Sequence, residues 1–101
     1  MRRLTIIGGG PSALMLAAQL DTQKYQVTLC ERKKSVGRKF LLAGEGGLNL
    51  TSNYSVEELI TQYFPSEFMD PIIRQFTNED LINWLNDLGI ATFIGSSNRV
   101  F

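Results

Sequence analysis

The sequence has no histidine and a single cysteine, Cys30. Without histidine there can be no histidine-based triad or zinc site, and a lone cysteine rules out an internal disulfide and any paired-cysteine metal site. No metal is expected. Net charge is missing too: 10 Lys and Arg balance 10 Asp and Glu. A nucleic-acid partner is not favoured, because such proteins usually carry a basic surplus. No run reaches the roughly 20 apolar residues of a membrane-spanning helix, so no membrane partner is expected either. An isolated cysteine fits a reducing compartment, which gives a cytoplasmic location as the expectation. No internal repeat or low-complexity segment is visible. What remains is an ordinary globular composition, 44% hydrophobic and 20% charged over 101 residues, enough for one domain at most.

Met1-Arg2-Arg3 and the uncharged run to Leu20 could pass for a secretory leader. However, Gly8, Gly9, Gly10 and Pro11 interrupt its apolar helix, where glycine and proline cost roughly 1 and 3 kcal/mol per residue. Those glycines have a better use. Leu4-Thr5-Ile6-Ile7 reads as a buried strand, residues 11–20 as a helix with Ala13, Ala17 and Leu20 at helical spacing, and residues 26–30 as a second strand closed by Glu31. Strand, helix and strand in this span predict a parallel, right-handed βαβ unit of an α/β Rossmann-like fold.

Residues 32–53 change character. Arg32, Lys33, Lys34, Arg38 and Lys39 form a basic stretch, and Gly44, Gly46 and Gly47 mark a tight turn or a close backbone approach. Beyond this the chain is mainly helical. Helices are expected over 56–64, from an Asp70-Pro71 start with Ile72, Ile73 and Phe76 as its apolar face, and over 78–88 with Thr77 as cap and Gly89 as stop. A strand over 90–94, a turn over 95–98 and a strand beginning at Arg99 complete the pattern. Two segments result: 1–53, with the βαβ unit and glycine loop, and 54–101, helical with the start of a strand pair. Trp84, Phe64, Phe68 and Phe76 are expected to be packing residues, Glu57 and Glu58 a solvated helix start, and Cys30 a buried, inert thiol.

The chemistry is concentrated in Gly8-Gly9-Gly10-Pro11-Ser12-Ala13, which fits G-x-G-x-x-A, the alanine form of the dinucleotide fingerprint. Gly8 permits the turn out of the strand. Gly10 leaves room for a pyrophosphate, and Ala13 lets the helix pack on the sheet. Pro11 opens the helix, whose first N–H groups, including that of Ser12, favour a phosphate. Glu31 closes the second strand, in the place of the acidic residue that binds the ribose hydroxyls. Its carboxylate would repel a 2′-phosphate, so NADP is disfavoured here, while FAD and NAD both fit. Arg32 could pair with a phosphate or be a plain surface charge. For Gly37-Arg38-Lys39 and residues 44–49, a mobile basic loop and a second phosphate-facing backbone remain equally open on pattern alone.

The run Ile7-Gly8-Gly9-Gly10-Pro11-Ser12-Ala13 resembles that of flavoproteins with two dinucleotide-binding domains. With Glu31-Arg32 and Val36-Gly37-Arg38-Lys39-Phe40-Leu41-Leu42-Ala43-Gly44, the chain resembles the bacterial BaiN/RdsA-like (YhiN-like) NAD(P)/FAD-dependent oxidoreductases. Most members carry Gly-Arg-Cys-Asn where this chain has Gly46-Gly47-Leu48-Asn49, and the variant resembles a subgroup with Gly-Gly-Leu-Asn-Leu-Thr. Leu48 therefore cannot take over any role of the family's cysteine. Residues 95–101 also resemble that subgroup. Members are several times longer, so the resemblance implies an N-terminal part of an incomplete domain. Two parallel strands with open edges and an apolar strand pattern at Phe101 agree with this.

The resemblance implies FAD as cofactor, with Gly8, Gly10 and Ala13 at the pyrophosphate and Glu31 at the adenosine ribose. Arg38, Lys39, Ala43, Gly44, Gly46, Gly47 and Asn49 would run along the FAD. The implied activity is hydride transfer through FAD, from NAD(P)H as possible donor to a small organic acceptor, with no catalytic residue assigned. The alternatives are an NAD-binding dehydrogenase module and a non-catalytic regulatory dinucleotide-binding module.

Overall fold

The computed structural model describes residues 1–43 and 47–101, in two compact units, Met1–Gly47 and Leu48–Phe101. The chain is mixed α/β, with a parallel β-α-β start followed mainly by helices. No helix among the described residues is long and apolar enough to cross a membrane.

In the first unit, β1 (Arg2–Ile7) and β2 (Tyr25–Cys30) pair in parallel, joined through α1 (Pro11–Gln19). Leu4 and Ile6 register with Val27 and Leu29 on one face, buried or half-buried, with α1 packed against β1. The period of two places Arg3, Thr5, Ile7, Gln26, Thr28 and Cys30 on the opposite face, all exposed. Cys30 is therefore exposed, not buried as expected. The expectation rests on the usual burial of free cysteine, whereas here α1 covers only the opposite face of the sheet.

The basic stretch is not wholly loop. Residues 38–43 form a short helix, α2 (Arg38–Ala43), begun by a Leu41 N–H bond to the Gly37 carbonyl at 2.9 Å. Arg, Lys, Leu and Ala are all good helix formers, and charge alone concealed the propensity.

In the second unit, β3 (Thr51–Ser52) pairs antiparallel with β4 (Arg99–Val100). This pairing groups residues 48–53 with the helices rather than with the βαβ unit. The helices are α3 (Val56–Thr61), α4 (Ser66–Gln75) and α5 (Asn78–Asp87). Ile60, Ile73, Leu85 and Val100 form the core, with Val100 only 1% exposed. Helix α3 stops short of 64, at Thr61, with Gln62 as its C-cap.

Helix α4 starts before Asp70, so Pro71 lies inside it rather than in its first turn. Ser66, Met69, Asp70 and Ile73 form its covered stripe at i, i+3, i+4 and i+7. Phe68 and Ile72 fall to the side and are exposed, as is Phe64 before the helix, so these two phenylalanines are not the packing residues expected, while Phe76 at the helix end is about half covered. Asp70 caps nothing. It accepts a 2.9 Å bond from Arg74 Nε one turn on, and Arg74 also reaches Glu57 at 3.4 Å.

Helix α5 begins as expected. Thr77 Oγ1 accepts from the Asp80 N–H while the Asp80 carboxylate accepts from the Thr77 N–H, a reciprocal capping box. Gly89 follows the helix at φ 82°, a conformation that favours glycine. Leu85 is buried and Trp84 half-buried, but Leu88 is exposed. The Asn78 side chain, itself buried, donates to the carbonyls of Ser52 and Tyr54 at 2.8 and 2.9 Å, tying α5 to the β3 segment. Residues 93–101 form a hairpin in which Phe93 and Phe101 exchange backbone bonds of 2.9 Å and stack at 5.5 Å, though no continuous strand runs over 90–94.

Candidate nucleotide-binding cleft

At the carboxyl ends of β1 and β2 the chain turns through Gly8, Gly9 and Gly10 into α1. Gly8 has φ 98°, open only to glycine without strain, and its N–H bonds the Cys30 carbonyl at 2.7 Å. Gly9 is buried, and a Cβ there would lie 2.8 Å from Val36 Cγ1 and 3.3 Å from Glu31 Cβ. Gly10 differs from both. Its φ of −81° and ψ of −178° suit any residue, and a Cβ there would meet nothing within 4 Å. The fold itself makes no demand for glycine at position 10, so the open space in front of it is free for a ligand.

A cleft of about 230 Å³ opens at this turn, lined by Gly9, Gly10, Pro11, Glu31, Arg32, Lys33, Ser35, Gly37, Arg38 and Lys39. Its position outside the carboxyl ends of parallel strands is where α/β sheets bind ligands. A larger depression of about 630 Å³ lies at the amino ends, lined by Met1, Arg2, Gln23, Lys24 and Tyr25, away from the glycine turn. Four cations and one carboxylate line the cleft, a balance suited to an anion. None of Arg32, Lys33, Arg38 and Lys39 forms an ion pair among the described residues. Pro11 opens α1 without an N–H, and the first-turn N–H groups of Ser12 and Ala13 have no carbonyl of their own helix to bond.

Glu31 is half-buried, and both its oxygens are engaged. Oε1 accepts from the Gly9 N–H at 3.0 Å and Oε2 from the Lys33 N–H at 2.7 Å. These bonds, that from Lys33 foremost, hold its carboxyl below the ordinary carboxylate range. On the other side of the turn, the Gly37 N–H donates to the Gly9 carbonyl at 2.7 Å.

Gly10, Pro11, Glu31, Arg32, Arg38 and Lys39 thus come together. Gly8 shapes the turn without lining the cleft, and Ser12 and Ala13 lie along α1. Ala43 ends α2 and is exposed, and Gly47 has φ 107°. Gly44 and Gly46 lie outside the described residues. Asn49 belongs to the second unit. With its amide nitrogen facing the acceptors, it donates to the carbonyls of Thr51 and Val100 at 2.9 and 3.1 Å and so braces the β3–β4 pair. Gly37, open in the sequence as part of a phosphate-facing backbone, and Lys33, of the basic stretch, line the cleft, as do Gly9 and Ser35, to which the sequence pattern assigns no site role. Gly9 was visible as the middle of three glycines, but the fingerprint leaves that position free.

A glycine turn between a parallel strand and a helix, closed by an acidic residue at the end of the second strand, defines a Rossmann-type nucleotide-binding domain. The chain belongs to the HI0933-like family: residues 2–101 match the family described as "HI0933-like protein Rossmann domain". It is 32% identical over 94 residues to the 3-dehydro-bile acid delta(4,6)-reductase of Clostridium scindens, covering 91% of this chain and 23% of that protein. It is 33% identical over 88 residues to the ribosomal RNA dihydrouridine synthase of Haemophilus influenzae, covering 85% of this chain and 21% of that protein. The protein of the same name from Escherichia coli is 31% identical over 86 residues, again covering 85% and 21%. The chain thus spans between a fifth and a quarter of the length of these relatives.

Proposed function

We propose that the cleft holds the adenosine diphosphate half of FAD, and that the chain serves a flavin-dependent oxidoreductase passing a hydride from NAD(P)H to a small organic acceptor. Gly10 carries this reading. It is a glycine that neither backbone conformation nor neighbouring atoms require, set at a helix start where a Cβ would stand in the way of a phosphate. The flavin supplies the hydride chemistry, and the protein supplies binding and orientation. Here the first-turn N–H groups of α1 face the diphosphate, and Arg38 and Lys39 offset its charge. Glu31 keeps lone pairs free for the ribose hydroxyls after its two backbone bonds are made. The same carboxylate disfavours a 2′-phosphate, which places NADP(H), if it is the donor, at another site.

The names of two relatives favour a second reading for the acceptor, a uridine of ribosomal RNA reduced to dihydrouridine. The adenosine diphosphate cleft is the same in both readings. Titration of the protein with FAD and with NAD, followed by Trp84 and flavin fluorescence, tests the site. Saturable FAD binding that is lost in Gly10→Val is expected. Preference for NAD would move the reading to a dehydrogenase. For the acceptor, loss of dihydrouridine from ribosomal RNA in cells lacking the gene would favour the RNA reading over the small molecule.

A further inference from the structure

Four of the six backbone N–H and C=O groups of Gly8, Gly9 and Gly10 are anchored. The Gly8 N–H is held by the Cys30 carbonyl at 2.7 Å, the Gly9 carbonyl by the Gly37 N–H at 2.7 Å, and the Gly10 carbonyl by the Leu14 N–H at 3.0 Å. All three anchors are backbone groups. The fourth is a side chain: Glu31 Oε1 takes the Gly9 N–H at 3.0 Å. Glu31 is itself steadied by the Lys33 N–H on Oε2 at 2.7 Å. The Gly8–Gly9 peptide is therefore held at its N–H by one carboxylate before any ligand arrives, and the next peptide, into Gly10, is held at the Gly9 carbonyl by Gly37.

A carboxylate beside a diphosphate is electrostatically adverse unless its charge is directed elsewhere. Here it is directed onto two backbone N–H groups, in a cleft that also contains Arg32, Lys33, Arg38 and Lys39. We infer that Glu31 is a positioning residue for the phosphate-facing turn, in addition to any contact with a ribose: its bond to Gly9 fixes the backbone on which the diphosphate rests. This rests on the dinucleotide reading above.

Two probes separate the roles, ADP and 2′,3′-dideoxy-ADP, which has no ribose hydroxyls for Glu31 to meet. Calorimetric titration of the protein and its Glu31→Ala variant with both is the experiment. The positioning role requires Glu31→Ala to weaken dideoxy-ADP by about tenfold or more, as loss of one charge-assisted bond would. It also requires Glu31→Gln, which keeps an oxygen for the Gly9 N–H, to restore most of that loss. Dideoxy-ADP affinity unchanged within about twofold in Glu31→Ala would overturn the inference and leave a ribose contact alone. Should Glu31→Ala not fold, amide exchange in the unliganded wild type decides. A Gly9 N–H protected like that of Gly8 supports the inference, and a freely exchanging one overturns it. Wild-type protein binding neither probe would overturn the dinucleotide reading, and this inference with it.

Discussion

Val36 closes over Gly9 so tightly that one added carbon at Gly9 would lie 2.8 Å from its Cγ1 and 3.1 Å from its Cβ. Gly9→Ala should therefore destabilise the protein by about 1–3 kcal/mol, the usual cost of overpacking. Val36→Ala in the same chain should return part of the loss. Urea denaturation of the single and double variants measures this coupling, and strict additivity would show that Val36 is not the obstacle.

Gly10 predicts the opposite behaviour. No atom lies within 4 Å of a Cβ there, and its backbone angles are ordinary. Gly10→Ala should leave stability within about 1 kcal/mol of wild type, since alanine is only a poorer helix cap. FAD affinity should fall by about tenfold or more. Parallel thermal melts and flavin titrations test this, and a variant that melts early but binds normally would contradict it.

Acid should weaken the first unit through Glu31. The N–H groups of Lys33 and Gly9 hold its folded-state pKa below the ordinary range. As pH falls, the unfolded chain takes up this proton first. The stabilisation is complete above the ordinary carboxylate range and disappears as pH drops through the lower folded-state value. Denaturation of wild type and Glu31→Gln across acid pH should show their difference shrinking toward low pH. A constant difference would mean that the two bonds do not depend on the charge.

Asn78 braces the second unit. It satisfies the Ser52 and Tyr54 carbonyls from a buried position. Asn78→Ala should cost about 1–3 kcal/mol by removing both bonds. Thr77→Ala, at the neighbouring cap, should cost about 1 kcal/mol. Chemical denaturation of each gives the values, and a neutral Asn78→Ala would mean that water replaces the amide.

The βαβ unit was legible because short apolar runs, glycine punctuation and an acidic strand end all point one way. The capping box at Thr77 was legible for the same reason: Thr, Asp80 and the leucine spacing agree. Helix α2 was not, because its residues were weighed as charges rather than as helix formers. The start of α4 was misplaced because Asp70-Pro71 looks like a cap with a first-turn proline, while packing follows the stripe through Met69 and Ile73. Gly9 went unread for a different reason. Its role depends on Val36 and Glu31 approaching it, and a spacing pattern carries no information about such approaches. Asn49 also braces the β3–β4 pair, of which the sequence pattern signals the strand at Arg99 but not its partner at Thr51–Ser52.

The alternation along β2 has one more use. Cys30 precedes Glu31 directly, yet it stands on the sheet face that α1 leaves open. A maleimide dye or spin label at this thiol would be attached one residue from a carboxylate that lines the cleft, at a residue that does not itself line it. The sequence thus has a built-in attachment point from which a titration of the cleft can be followed with its lining residues intact.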